Sequence, residues 1–278
     1  MLKEIADFLK MNGFHCEILT RMEQKAIFVR CGEGESYAVR CVVPIEVEAT
    51  SENEARMQAA QVMRLLDSLE AEGAPIIITE DRWRRQAEMM QARLLAHLEK
   101  FTSLYARNCE VRKIDKAVAA PFLEGNHSYG DAACRYRYGL YLRRPSRDGK
   151  YEAGTLVAVA TFSNARKWIK GEKTIRSYEW TRYASLPGVR ISGGMGKMLK
   201  AFIKEVDPDD IMSYADLEWS EGNVYEQLGF VLEGRKDPVM FVLDAQWGRF
   251  PVKPGMAGER FFMNLGSNKY RLKLTQYE

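Results

Sequence analysis

The sequence predicts a mixed α/β protein in two domains, on three observations. The chain has 278 residues of 46% apolar composition, enough to bury two cores. Short apolar runs with strand spacing alternate with stretches of helical spacing along its length. In the second half, antiparallel strand candidates lead through a glycine turn, Ser192-Gly-Gly-Met-Gly196, into an apolar helix, which is the order of a layered α/β sheet.

Each element has its own signal. Ile5, Phe8 and Leu9 make the apolar stripe of a first helix that stops at Asn12-Gly13. Strands are expected at 15–19, 25–31 and 37–43, the last two separated by the turn-like Gly32-Glu-Gly-Glu-Ser36. Ser51-Glu-Asn-Glu54 is a capping start for a helix to about Ala71. Ala74 to Thr79 reads as a buried strand, and 81–101 as one long amphipathic helix with Met89, Leu94, Leu95 and Leu98 inward. Beyond Tyr105 the expected order is a strand at 109–114, a helix at 116–124, and strands near 135–144, 154–163 and 176–186. The glycine turn and its helix at 192–206 follow, then a strand at 211–215 and a short helix closing at Leu228. Strands at 239–243 and 270–274 complete the order. The expected domains are therefore 1–105 and 106–278.

Composition excludes several classes. The apolar segments are too short and too interrupted by charge to span a membrane. Met1 to Lys10 mixes charged and apolar residues and lacks the unbroken apolar core of a signal peptide. Five scattered cysteines with no Cys-x-x-Cys pair argue against a structural zinc and against a disulfide framework. Grouping Cys109, His127 and Cys134 as a metal site rests on residue type alone, and no metal is expected. A reducing cytoplasm is the expected location.

The net charge of +3 is small, but its distribution is uneven. Arg135 to Arg182 holds twelve Lys/Arg against four Asp/Glu, interleaved with Tyr136, Tyr138, Tyr141, Trp168, Tyr178 and Trp180. That pattern reads either as solvated strand faces with aromatics packed inward, or as a basic aromatic groove for nucleic acid or for the anionic end of a cofactor.

The glycine cluster lets the backbone turn sharply and approach a ligand, and the N–H groups of the following helix start suit a phosphate. Arg190-Ile-Ser-Gly-Gly-Met-Gly-Lys197, followed by Tyr225-Glu-Gln-Leu-Gly-Phe230, resembles the acyl-CoA site of the GCN5-related N-acetyltransferase (GNAT) superfamily. The loop of that superfamily reads Gln/Arg-x-x-Gly-x-Gly/Ala and its later helix ends Tyr-x-x-x-Gly-Phe. Arg190 and Gly193 match, while Met195 stands where the second Gly or Ala belongs. The resemblance implies acetyl-CoA or another acyl-CoA held at Arg190, Ile191, Ser192, Gly193, Gly194, Met195, Gly196 and Lys197. It also implies an amine acceptor.

More narrowly, residues 105–245 are similar to a GNAT-like domain of phage and mobile-element proteins. The shared pattern is Ala106 to Arg112, Phe122 to Gly130, Trp180-Thr-Arg182, Gly193-Gly194 and Tyr214-Ala-Asp216. Some members carry that domain behind a very-short-patch-repair (Vsr-like) nuclease domain. Ile76 to Trp83 with its following helix is similar to the end of that nuclease fold, so 1–105 is expected as an αβββαβ restriction-endonuclease-like domain. Its strands at 26–31 and 37–43 carry no carboxylate, and Glu4, Glu46 and Glu48 lie elsewhere, so it reads as a degenerate scaffold.

Acyl transfer to an amine needs a base for the amine, a polarised carbonyl and a proton for the leaving thiolate. Glu179 is the base implied by the superfamily, or else a strand glutamate balancing Arg182 or Arg176. Asp216, at a strand end, is a second base candidate and equally an N-cap or turn residue. Tyr225 matches the tyrosine that protonates the thiolate, or packs as a core ring beside Phe230. His127, in a loop after a helix, is a base or substrate ligand, or a capping residue. The primary reading is an acyl-CoA-dependent N-acyltransferase. The alternative is a nucleic-acid-associated module of the same fold, either modifying DNA bases or binding without acyl transfer.

Overall fold

The computed structural model describes residues 1–31, 38–69, 74–220 and 222–276. The turn expected at 32–36 and the helix end at Ala71 lie outside the described residues. The chain is a mixed α/β protein, as the sequence predicts, but its two compact units are not two contiguous stretches. Unit 1 comprises Met1–Leu98, Asp216–Glu221 and Arg235–Ser267; unit 2 comprises Glu99–Ala215, Gly222–Gly234 and Asn268–Glu278. The expected division at 105/106 is corrected accordingly: the apolar strands after 235 share the core of unit 1.

In unit 1, α1 (Leu2–Met11) is followed by β1 (His15–Arg21), β2 (Gln24–Cys31), β3 (Ala38–Ile45), α2 (Glu52–Leu69) and β4 (Ile76–Thr79). The sheet order is β1-β2-β3-β4, with β3 and β4 parallel across the α2 crossover. The central strands are buried on both faces because alternate residues feed two cores. Ala26, Phe28, Cys41, Val43 and Ile77 pack with Val62, Leu65 and Leu69 of α2. Ile27, Val29, Val42, Ile76 and Ile78 pack with Ile5 and Leu9 of α1 and with Met90 and Leu94.

The long helix expected at 81–101 is two helices, α3 (Glu80–Arg85) and α4 (Ala87–His97), broken at Gln86 with φ −128° and ψ 43°. The break lets α3 turn Asp81, Arg82 and Trp83 inward. There Arg249 binds both oxygens of Asp81 at 2.6 and 3.0 Å, and Glu218 at 2.9 Å. Arg82 pairs with Asp216 at 2.8 Å and with Glu218 at 3.1 Å. Unit 1 also contains β14 (Met240–Leu243), flanked by β15 (Arg249–Pro251) and β16 (Phe261–Met263).

Unit 2 is built on β6 (Cys109–Lys113), β7 (Tyr136–Leu142), β8 (Leu156–Phe162), β10 (Lys173–Ser185), β12 (Asp210–Asp216), β17 (Ser267–Lys273) and β13 (Val231–Lys236). The strands lie in the order β6-β7-β8-β10-β12-β17-β13. The short strand β9 (Arg166–Lys170) pairs with β10, and β5 (Thr102–Tyr105) pairs in parallel with β11 (Val189–Ser192). One face carries α5 (Lys116–Asn126), whose Ala119 and Leu123 meet Val159 and Ala184. The other carries α6 (Gly194–Val206), whose Phe202 stacks on Phe162 with centroids 3.9 Å apart. Tyr138, Tyr178 and Trp180 are buried in this core, so those aromatics of the basic stretch pack inward.

Candidate active site

The sheet of unit 2 opens at its centre. Strands β10 and β12 run parallel but pair only over Ser177–Glu179 against Asp210–Met212, although β10 continues to Ser185 and β12 to Asp216. The cause lies on the other edge of β10. Its register against β8 slips between Trp180 and Arg182, so Thr181 is a bulge, and a bulge bends its strand. The closed end of the split is pinned across three strands. Asp210, wholly buried, accepts from Ser177 Oγ and from Arg271 of β17, both at 2.5 Å. One residue into the split, Ser213 Oγ lies 3.0 Å from the Trp180 carbonyl oxygen and 2.9 Å from Tyr225 Oη.

Tyr225 comes from α7 (Asn223–Gln227). Its ring stacks on Tyr270 at 5.2 Å and meets Phe230 and Trp180 edge-on. Burial raises its pKa against the opposing Ser213 hydrogen bond, so the phenol stays protonated at neutral pH. Tyr225 is thus a ring packed against the core whose hydroxyl reaches the split. Glu179 occupies the last rung of the β10–β12 ladder, half-buried, with its backbone N–H donating to Ser163 Oγ at 2.9 Å. Its charge also acts on Arg182, whose pKa is lowered by burial and partly restored by Glu179.

The glycine turn supplies the second half of the site. Gly193 caps α6 in the left-handed region with φ +74°, where a side chain is strained, and the nearest atom to a Cβ there is Ala106 Cβ at 3.6 Å. The first N–H groups of α6 have no acceptor within the helix, because Lys197 N makes its first backbone bond, to Gly193 O at 3.0 Å. A groove of about 610 Å³ runs from Gly193 and Gly196 along Lys200 and Ile203 to Leu228 and Leu272. Its floor is apolar, its rim carries the exposed Lys200, and its head is the helix N-terminus.

Not every expected residue converges here. Arg190, Ile191 and Ser192 are strand residues of β11, and the Arg190 guanidinium lies over Phe101 at 5.3 Å. Lys197 lines the groove, but its ammonium donates to the carbonyls of Ala106 at 2.8 Å and Cys109 at 2.5 Å and so ties α6 to the start of β6. Met195 lies in the first helical turn and packs against the core, with only its backbone N–H left to the loop. Asp216 is corrected: it belongs to unit 1, and its carboxylate is taken by Arg82 and by the Glu218 N–H. Burial would raise its pKa, but Arg82 outweighs that and holds it low. His127 caps α5, with Nδ1 accepting from Tyr129 N–H at 3.1 Å, the capping role. Ser213, Ser177, Asp210 and Arg271 were not singled out from sequence. They meet only through strand pairing, which no local motif records.

Among the described residues no group of three His, Cys, Asp or Glu could hold a metal ion, and no helix is long and apolar enough to cross a membrane.

No family model matches the chain, and neither does any curated protein. Among solved structures it is similar to the spermidine/spermine N-acetyltransferase SpeG of Vibrio cholerae, at 11% identity and a TM-score of 0.36, covering 59% of this chain and 94% of that one. It is similar to a GNAT-family acetyltransferase of Bacillus anthracis at 14% identity and 0.34, covering 60% and 95%. A third is the ribosomal-protein-S5-alanine acetyltransferase of Vibrio fischeri, at 10% and 0.35, covering 62% and 96%. At these values the likeness carries nothing about substrate or chemistry, which rest on the geometry above.

Proposed function

We propose that unit 2 is an acyl-CoA-dependent N-acyltransferase acting on an amine. The observation that carries this is the parting of two parallel strands beside a glycine-capped helix start, with a protonated tyrosine at the split. The residues present fit such a co-substrate. The pyrophosphate would meet the N–H groups of Gly194, Met195 and Gly196, with Lys200 at the rim and apolar Leu228 and Leu272 along the arm. Acyl-CoA supplies the acyl group as an activated thioester. Glu179 takes the proton that the attacking amine nitrogen loses as it bonds to the acyl carbon. Tyr225 Oη donates a proton to the sulfur as the carbon–sulfur bond breaks, and regains one from solvent afterwards. Backbone N–H groups of β10, released from pairing where the strands part, would polarise the carbonyl.

The N-terminal unit is proposed as a degenerate nuclease-like scaffold, because its central strands bury apolar residues on both faces and present no carboxylate. A second reading, a nucleic-acid-associated module with this fold, is supported by one feature, a basic two-stranded ribbon. The function is tested by incubating the protein with acetyl-CoA and a panel of primary amines: a polyamine, an amino-acid amide, a lysine peptide and duplex DNA. Amine-dependent thiol release is expected for at least one class. Release no faster than thioester hydrolysis across the panel removes the acyltransferase reading.

A further inference from the structure

Strand β9 was not foreseen, and it changes the meaning of the basic stretch. It folds back on the first half of β10 through a turn at Gly171 (φ +61°), pairing Lys173 with Lys170 and Ser177 with Arg166. β8 pairs only with the second half of β10, from Trp180 onward. Residues 166–176 therefore form a two-stranded ribbon, and β9 has no strand neighbour but β10 among the described residues. This ribbon holds Arg166, Lys167, Lys170, Lys173 and Arg176 against one carboxylate, Glu172, a net of +4. The whole chain nets +3, so its entire positive excess resides in these eleven residues.

Elsewhere in the basic stretch Arg135, Arg144 and Arg147 are also exposed, but they are not gathered on one ribbon, and three other arginines are engaged within the protein. Arg137 donates to Cys134 O, Arg182 to Gly130 O and Thr181 O, and Arg143 pairs with Glu110. Among the ribbon's described side chains, Arg176 donates to the Asp207 carbonyl and has Asp209 at 3.7 Å, while Arg166, Lys167 and Lys173 have no carboxylate partner among the described residues. Lys167 stands directly opposite Arg176 in the ladder, a like-charge pair that costs stability unless an anion bridges it. Ile169 is 77% exposed and Trp168 36%, so the same ribbon shows apolar and aromatic surface between its cations.

The alternation of a strand decides the kind of partner. Lys167 and Arg176 lie on one face of the ribbon; Arg166 and Lys173 lie on the other, where Ile175 is buried at 3% exposure, so that face is covered at its middle while these two cations stay exposed at its ends. A flat anionic surface, such as a membrane, meets one face. A groove walled by phosphates on both sides meets both, and the major groove of a duplex admits a two-stranded ribbon. We propose that the Arg166–Arg176 ribbon docks in the groove of a nucleic-acid duplex. This deepens the second reading above and does not depend on acyl transfer, so it is measured without acyl-CoA.

The test is fluorescence anisotropy of a labelled duplex DNA about two helical turns long, titrated with the full chain across a salt series. The comparison is Lys167→Ser combined with Lys173→Ser. The variant relieves like-charge pairs, so its melting temperature should not fall. With four or five phosphates neutralised, the slope of log affinity on log salt should be about −4, and about two units shallower in the variant. At about 0.1 M salt the variant should bind roughly tenfold or more weakly. Equal affinity and slope in both proteins would overturn the proposal. So would absence of binding at about 50 mM salt. So would binding to phosphatidylserine vesicles that the variant loses while its DNA binding is unchanged.

Discussion

Tyr225 and Glu179 are the two residues on which the chemistry turns, and they are separable by experiment. Tyr225→Phe removes a buried hydroxyl whose partner, Ser213, keeps the Trp180 carbonyl, so the stability loss should be about 1 kcal/mol. If the phenol protonates the thiolate, kcat should fall far more, roughly 10²-fold. Glu179→Gln should lower turnover without weakening acyl-CoA binding, seen as a kcat effect at unchanged affinity. Equal small losses in both variants would leave Tyr225 as packing alone. The glycines divide in the same way. A Cβ at Gly194 would lie 3.0 Å from Ile191 Cγ2 and 3.1 Å from Tyr183 Oη, so Gly194→Ala probes packing as much as binding. At Gly196 the near atom is Leu228 Cδ2 at 3.1 Å, the end of a side chain on the groove wall. Gly193 and Tyr225 were legible in the sequence because their motifs are local. Asp216 was misjudged because its partner, Arg82, lies 134 residues away.

At the scale of elements, the strands and helices with apolar periodicity fall where the sequence places them, and the failures have physical causes. β13 is exposed along its whole length, so it lacks the alternation that marks a half-buried strand. The break at Gln86 follows from buried ion pairs, which helical periodicity does not register. Those pairs give a stability prediction for unit 1. Arg249→Ala leaves Asp81 and Glu218 buried with fewer counter-charges and should cost about 3–5 kcal/mol in urea unfolding. Arg56→Ala, which breaks an exposed pair with Glu52, should cost under about 1 kcal/mol. Unit 2 gives a prediction in pH. Glu233 on β13 is lowered to about 2, first by its hydrogen bond to Arg271 and then, against some burial, by Lys269. Its contribution is therefore present above the ordinary glutamate value and lost as pH falls toward 2. Glu233→Gln should melt below wild type at pH 6, and the gap should close by about pH 2. A gap independent of pH would mean that packing rather than charge is responsible.

At the scale of the whole molecule, the chain leaves unit 2 after Ala215, contributes 216–221 to unit 1, returns, and leaves again at Arg235. Composition changes slowly along such a chain, so a single boundary was the simplest reading of the sequence and the structure replaces it with an interleaved one. The strand order around the split was nevertheless foreshadowed, because glycine turn, helix and following strand are adjacent in sequence. What the sequence did not carry is the bulge at Thr181, which is set by pairing with β8 and which opens β10 from β12. On the proposed function, this opening and the start of α6 seat an acyl-CoA. Calorimetric titration of acetyl-CoA into wild type and Gly196→Leu, with melting temperatures taken without ligand, tests it most directly. Wild type should bind saturably with a Kd between about 1 μM and 1 mM. A Gly196→Leu protein that melts normally should bind at least about tenfold more weakly, a difference of about 1.4 kcal/mol. No saturable binding by wild type at millimolar acetyl-CoA, or equal affinity in the folded variant, would contradict it.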